Sequence, residues 1–471
     1  MRHICFAIIF AALFSACTTL YPSPSGTTVD GLPAHFSLYS EKTAPYGKWW
    51  QDFQSQELNT LIDAALSDNF SIQEAWARFT QASLAAEIAG AAKQPSLNYS
   101  AARAYSEQKN TEKATLFLDN QWSLGLTASY EVDLWGRVLA GRQNAILKAE
   151  ASEEDLRTAF MIVTGEITEK WIALASLSRQ QILFQKQLQL QKKLLEIIKL
   201  RFPNGLASAL DIYQQKQAIA KLDAALVPLA GKQQTLLRQL AFLVGKASLG
   251  DLYQVPTQLP FLDTLPETGL PIDLLAARPD VRATGLRLKA TEWEVTAARA
   301  DRLPALKLTA SQSYSSSAID SLFDNWLLNL AANVTGPIFD GNRRALEVER
   351  TKKVVEERLA QYRKTVFSAV KEVEDALADE KQYADTLDLL REQIALSERT
   401  VREARSRYLN GSSDFLNVLK EELTSMQLQQ DAILAQEQMT IARVHLHKAL
   451  GGEAWLDELV QEKGPYATSK Q

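Results

Sequence analysis

From Leu156 to Phe202 the chain reads LRTAFMIVTGEITEKWIALASLSRQQILFQKQLQLQKKLLEIIKLRF. Positions 156, 160, 163, 167, 170, 174, 177, 181, 184, 188, 191, 195, 198 and 202 keep a strict 4-3 spacing, and all but Lys170, Gln181 and Gln191 are Leu, Ile, Val or Phe. A seven-residue apolar repeat held this long predicts helices packed side by side with coiled-coil geometry. If Gly136 to Phe202 is one helix, it is roughly 100 Å long at ~1.5 Å per residue, more than three times the ~30 Å hydrocarbon layer. Such a rod projects far out of any membrane that holds the chain. Trp171, Ile172, Leu183, Leu194 and Ile197 widen the stripe into two adhesive flanks, while Gln and Lys crowd the remaining face. Helices of that kind predict a closed cylinder with a wet interior, whereas a solid bundle needs only a narrow seam.

The rod ends in Arg201-Phe-Pro-Asn-Gly205, which returns as Arg407-Tyr-Leu-Asn-Gly411, and Leu240 to Gly245 returns as Leu446 to Gly451, both at an offset of 206. Trp122, Leu124, Leu126 and Ala128 recur as Trp326, Leu328, Leu330 and Ala332 at 204. Residues 94–245 and 303–451 are therefore two copies of one unit: strand, strand, very long helix, Gly-containing reversal, long helix. In the second copy Val366, Val370, Val373, Leu377, Ala384 and Leu387 carry the heptad; Leu390, Ile394, Val401, Ala404 and Tyr408 continue it after a one-residue slip. Asn204-Gly205 and Asn410-Gly411 supply residues tolerant of left-handed backbone angles where each helix must reverse. With so few strands per chain, a closed barrel requires an oligomer.

Gln121 to Tyr130 alternates, with Trp122, Leu124, Leu126, Ala128 and Tyr130 on one face and Ser123, Gly125, Thr127 and Ser129 on the other. Aromatics at both ends of the apolar face suit a lipid-facing strand with interfacial girdles, which makes Trp122, Tyr130 and Trp326 candidate membrane-interface residues. Ser96 to Tyr105, Ala305 to Tyr314 and Trp326 to Val334 alternate in the same way. Four amphipathic strands of a soluble sheet share this pattern; the long helices favour the membrane. Polar stretches at 106–120 and 313–324 read as loops at the external end.

The N-terminus fixes the compartment. Met1-Arg2-His3 is positive, Ile4 to Phe14 is apolar, and Ser15-Ala16-Cys17 is a small-residue site, the pattern of a secretory signal peptide too short to span a membrane. Its end resembles the lipobox of bacterial lipoproteins, although Phe14 stands where Leu is usual; the resemblance implies that Cys17 is lipidated, and Thr18 in place of Asp favours the outer membrane. Cys5 leaves with the signal, so no disulfide framework or cysteine metal site remains. The formal charge of −5 argues against nucleic acid as a partner. No catalytic constellation or cofactor motif is present: His445 and His447 stand two residues apart and diverge on a helix, and Glu372, Glu374 and Asp375 read as a solvated face.

Trp49-Trp50-Gln-Asp-Phe53 followed by Leu58 to Leu66, Arg278-Pro279-Asp280-Val281, Ala297-Ala298-Arg299-Ala300 with Leu303-Pro304, and the two reversals occur in one order. Together they resemble the TolC-like outer-membrane efflux channels, in particular the lipoprotein branch that serves resistance-nodulation-division pumps, over essentially the whole mature chain. The resemblance implies a mixed, mainly α homotrimer. Four strands per chain make a twelve-stranded transmembrane barrel continued by a long periplasmic helical barrel. It also implies a signal peptide at 1–16 and a lipidated extended segment at 17–47. The first repeat is then 48–245 (strands about 96–130, long helices about 136–245) and the second 272–451 (strands about 305–335, long helices about 341–450). Segment 246–271, helices near 58–93 and 272–300 and the tail 452–471 form an equatorial belt. The implied partners are a periplasmic adaptor at the tips (Asn204, Gly205, Asn410, Gly411), an inner-membrane pump and outer-membrane lipid. The implied aperture is at Leu416, Lys420 and Glu421, with Lys420 where many relatives carry an acid and Glu422 beside it. A type I secretion channel, a structural coiled-coil lipoprotein and a periplasmic adaptor are the competing readings; the last two leave the paired Trp-flanked strands unexplained.

Overall fold

The computed structural model describes residues 20–22, 31–38, 47–110, 115–250, 253, 255, 256, 258–260, 271–273 and 277–451. Cys17, the signal segment and the tail 452–471 lie outside the described residues, as do most of 17–47 and most of 246–271. The chain runs α1 (Gln56–Asp68), α2 (Phe70–Ala91), β1 (Ser96–Asn110), β2 (Thr115–Val132), α3 (Arg137–Arg201) and α4 (Ala209–Leu243). The second half repeats the order with α5 (Pro279–Ala300), β3 (Ala305–Ser316), β4 (Trp326–Thr335), α6 (Arg343–Leu409) and α7 (Phe415–Leu450). The compact units are not the two sequence repeats. One unit gathers Met1–Val29, Arg78–Glu153 and Ala283–Arg363, the other Asp30–Ala77, Glu154–Arg282 and Lys364–Gln471, so each draws on both copies.

In the strand unit the four strands form one antiparallel sheet in the order β1-β2-β3-β4. Two boundaries differ from expectation. Residues 106–110 and 115–120 are strand and not loop: β1 continues to Asn110, β2 starts at Thr115, and the ladder runs out to Asn110 opposite Thr115. Polar residues tolerate this because an antiparallel partner satisfies the backbone whatever the side chains are, and alternation counts only side chains. In the second pair, β3 runs past Tyr314 and ends at Ser316.

The helical unit shows why the helices start and stop where they do. Ser55 caps α1 by accepting from Leu58 N at 3.2 Å. The helical stretch near 58–93 divides into α1 and α2 at Asn69. Asn69 takes an extended conformation (φ −66°, ψ 128°), its Oδ1 accepts from Ile72 N at 3.1 Å, and its Nδ2 donates to Leu243 O at 2.7 Å. One side chain thus ends α1, begins α2 and secures the end of α4. In the stretch 272–300, α5 covers Pro279–Ala300 and a 3-10 turn lies at Pro271–Asp273; residues 274–276 lie outside the described residues. Ser208 and Asp211 form a reciprocal capping box at the start of α4. The heptad residues Leu156, Phe160, Val163, Ile167, Leu174, Phe184, Leu195 and Ile198 of α3 are buried, and so are Trp171, Ile172 and Leu194 of its second flank.

Candidate functional site

Cross-strand partners share a face of a sheet. The register sets Leu97 opposite Ala128, Tyr99 opposite Leu126 and Ala101 opposite Leu124. Leu124 then faces Tyr314, Ala128 faces Ala310 and Tyr130 faces Leu308, while Leu308 pairs with Ala332, Ala310 with Leu330 and Tyr314 with Trp326. All four apolar faces therefore fall on one side and form a continuous band. Gln312 lies within it between Leu126 and Leu328, and its Nε2 donates to Tyr314 Oη at 2.8 Å; Arg103 and Ser316 flank Trp122 on the same face. The opposite side carries Ser100, Ser123, Gly125, Thr127, Ser311, Ser313 and Asn329. The band is open in the single chain: Tyr99 is 82% exposed, Leu330 72% and Trp326 64%. Trp122, Tyr130 and Trp326 all belong to this face. A sheet with one apolar, aromatic-ended side and one side of small polar residues matches lipid outside and water inside. No helix among the described residues is long and apolar enough to cross a membrane.

The first strand-to-helix joint is held by side-chain hydrogen bonds. Asp133 accepts from Val138 N at 3.1 Å and Leu139 N at 2.7 Å, capping α3, and Glu131 holds Arg137 through both carboxylate oxygens (2.7 and 2.8 Å). Trp135 Nε1 donates to Pro304 O at 2.7 Å, fastening the first joint to the start of β3. Apart from Pro304, these residues are not singled out by the sequence reading; the legible signal is an Asp a few residues ahead of a helix start.

In the helical unit the two reversals lie against each other. Arg201 NH1 donates to Leu409 O at 3.1 Å and its guanidinium stands 5.1 Å from the Tyr408 ring centroid. Beneath them Leu194, Ile198, Tyr408, Phe415 and Val418 form a core cluster, with the Tyr408 and Phe415 rings 5.4 Å apart. Gly205 (φ 70°) and Gly411 (φ 75°) take left-handed angles, but Asn204 and Asn410 do not. Asn204 instead closes a 3-10 turn, Phe202–Asn204, and donates to Leu200 O at 3.3 Å. A reversal needs only one residue at positive φ, and the glycine takes it at no steric cost.

The charged residues after the second reversal divide by face. Leu416 (57% exposed) and Lys420 lie on the open face of α7, and Glu421 is half-buried. Glu422 does not join them. It is turned inward and 4% exposed, accepts from Gln191 Nε2 at 2.6 Å and pairs with Arg405 at 2.5 Å, while Gln215 Nε2 donates to Gln191 Oε1 at 2.6 Å. The polar break in the α3 heptad at Gln191 is thus the hub of a buried network reaching α4, α6 and α7.

Elsewhere in this unit the remaining motifs prove to be clamps. Glu372 is not part of a free face: it pairs with buried Arg278 at 2.7 Å, and Arg278 also grips Asp280 and donates to Ala449 O at 3.1 Å. Glu374 Oε1 accepts from Ser37 N at 2.9 Å, and Asp375 pairs with Lys371. Trp49 and Phe53 pack as a buried aromatic cluster with Trp171, and the His447 ring stacks on Trp49 at 5.2 Å. Burial, followed by the nearby Arg443 charge, holds the His447 imidazole down at about 3. Burial would raise the Glu169 carboxyl, but His445 and Lys448 outweigh it and bring it down to about 2. Among the described residues no group of His, Cys, Asp and Glu could hold a metal ion.

The family model described as "Outer membrane efflux protein" matches residues 61–246 and 270–452. The chain is 32% identical to the pyoverdine export outer membrane protein OpmQ of Pseudomonas aeruginosa, over 93% of this chain and 94% of that protein. Two solved channels share the fold: OprN, at a TM-score of 0.86 and 22% identity over 93% of this chain and 99% of that one, and CusC, at 0.84 and 24% over 92% and 99%. Matches of this extent through both halves of the sequence establish that the chain belongs to the outer membrane efflux protein family.

Proposed function

We propose that three copies close into a twelve-stranded barrel in the outer membrane of a Gram-negative cell and act as the passive exit conduit of a tripartite efflux pump. The observation that carries this reading is the register: it gathers every apolar strand face on one side, small polar residues on the other, and leaves β1 and β4 as edges. Within a membrane an open edge is untenable, so β4 of one copy pairs with β1 of the next. Two copies would give eight strands and an interior filled by side chains, whereas twelve strands leave room for water. The helices continue the conduit into the periplasm, where the reversals around Gly205 and Gly411 meet an adaptor protein coupled to an inner-membrane pump. Leu416, Lys420 and Glu421, each repeated three times, line the aperture there. Cys17 carries a lipid that assists targeting before the strands insert. The cargo is a small molecule chosen by the pump; the export role in OpmQ's name makes a siderophore the first one to try.

Heat-modifiable migration of a trimer from the outer-membrane fraction, with loss of efflux on deletion and recovery with the plasmid-borne chain, tests the reading. A monomer in the soluble periplasmic fraction would overturn it. Fatty-acid labelling that disappears in Cys17→Ser tests the anchor, and label retained on that variant would refute it.

A further inference from the structure

The apolar band carries one cation between its Leu97 and Tyr105 rungs. Arg103 lies opposite Trp122, on the same face as Leu97, Tyr99 and Ala101, and one rung beyond the level where Leu124 faces Ala101 and Tyr314. Its guanidinium carbon is 4.9 Å from the Trp122 ring centroid and its Nε donates to Asn120 Oδ1 at 3.4 Å. No described carboxylate forms an ion pair with it. Asp119, opposite Ser106, occupies the other face, and Glu107 is four residues further along the strand, about 13 Å away at ~3.3 Å per residue. β4 itself brings no counter-ion on closure, because Trp326–Thr335 contains no charged residue; the nearest acid on that side is Asp324, two residues ahead of the strand.

A guanidinium is expensive at the bilayer midplane and nearly neutral at the interface, where its stem lies along apolar surface and its head reaches polar groups. Arg103 is the middle residue of β1, at the level where β3 ends with Ser316 opposite Trp122 and one rung beyond the last of β4, away from the end where β2 leads into α3. Resting on the reading above, in which the helices are periplasmic, this level lies at the outer leaflet, whose glycolipid bears phosphates. A planar fork with NH1 and NH2 uncommitted matches a phosphate in two-pronged geometry, and the indole beneath fixes the fork. We propose that Arg103, oriented by Trp122 and Asn120, binds a phosphate of the outer-leaflet glycolipid, one site per chain and three around the barrel.

The test uses the full-length trimer in detergent, with lipid A, enzymatically dephosphorylated lipid A and inorganic phosphate as probes, read by native mass spectrometry. Expected are up to three retained lipid A molecules per trimer, at least a tenfold weaker retention in Arg103→Gln and partial rescue in Arg103→Lys. Dephosphorylated lipid should bind the wild type no better than lipid A binds Arg103→Gln. Equal retention by wild type and Arg103→Gln trimers would overturn the site and leave the channel reading intact. Equal retention of the dephosphorylated lipid, or displacement by millimolar inorganic phosphate, would also overturn it as a lipid phosphate site. A wild-type chain that never forms a membrane trimer would overturn the channel reading and this site together.

Discussion

Glu422→Ala should destabilise the helical unit by about 2–4 kcal/mol, although Glu422 stands in a run of charges that reads as surface. The estimate follows from its partners. Gln191 is itself 4% exposed and loses its acceptor, and an orphaned buried donor costs ~1–3 kcal/mol. Arg405 is 39% exposed, so its guanidinium recovers water and contributes at the low end of what a broken buried pair costs. Loss of the side-chain methylene adds ~0.8 kcal/mol of burial. Glu422→Gln keeps an acceptor and a similar shape and should cost about half as much; Lys420→Ala, on the open face, should stay within ~0.5 kcal/mol. Amide hydrogen exchange on the purified protein reads this locally. At a tenfold change per ~1.4 kcal/mol, amides of α3 near Gln191 and of α7 near Glu422 should exchange roughly 30- to 700-fold faster in Glu422→Ala. A change below about threefold with the fold retained would refute the network as a stabilising element.

Three further outcomes are expected. A Cβ at Gly205 or Gly411 would meet nothing within 4 Å, so Gly→Val should cost about 1–3 kcal/mol through the backbone angle alone, while Gly→Asn should cost less; efflux assays set against trimer abundance would show whether tip shape matters beyond stability. Leu328→Arg, in the exposed apolar band, should cost up to ~2–4 kcal/mol of barrel stability and reduce heat-modifiable trimer, whereas Ser311→Arg on the polar side should assemble and alter conductance; the reverse order would contradict the assigned faces. Acid should weaken the helical unit in two stages. His447 stays neutral while unfolded histidine protonates, so stability falls as pH drops below ~6.5, by about 1–3 kcal/mol because the ring is only partly covered; Glu169 adds a loss between about 4.5 and 2 as its carboxylate is protonated. Denaturant midpoints against pH should show His447→Phe losing the first stage only.

The sequence alone determined whatever depends on local period and local chemistry. The 4-3 spacing of α3 gave a single 65-residue helix, alternation located the strands, and Gly205 and Gly411 marked the reversals. Each signal arises within a few residues of one segment, because helix and strand geometry repeat over that distance. The ends of the strands escaped this logic: at residues 106–110 and 115–120 the ladder, and not the side-chain pattern, carries the strands onward. Duplication likewise could not assign roles, since Arg201 holds the second reversal while its copy Arg407 pairs with Glu403 on the same helix. Register was decided only in three dimensions, and with it the fact that four separate apolar faces form one band. The inward turn of Glu422 onto Gln191, 231 residues away, and the seizure of Glu372 by Arg278, 94 residues away, were decided there too. A charged side chain looks the same in sequence whether water or a buried partner satisfies it. Only the packing of distant helices determines which of the two it meets.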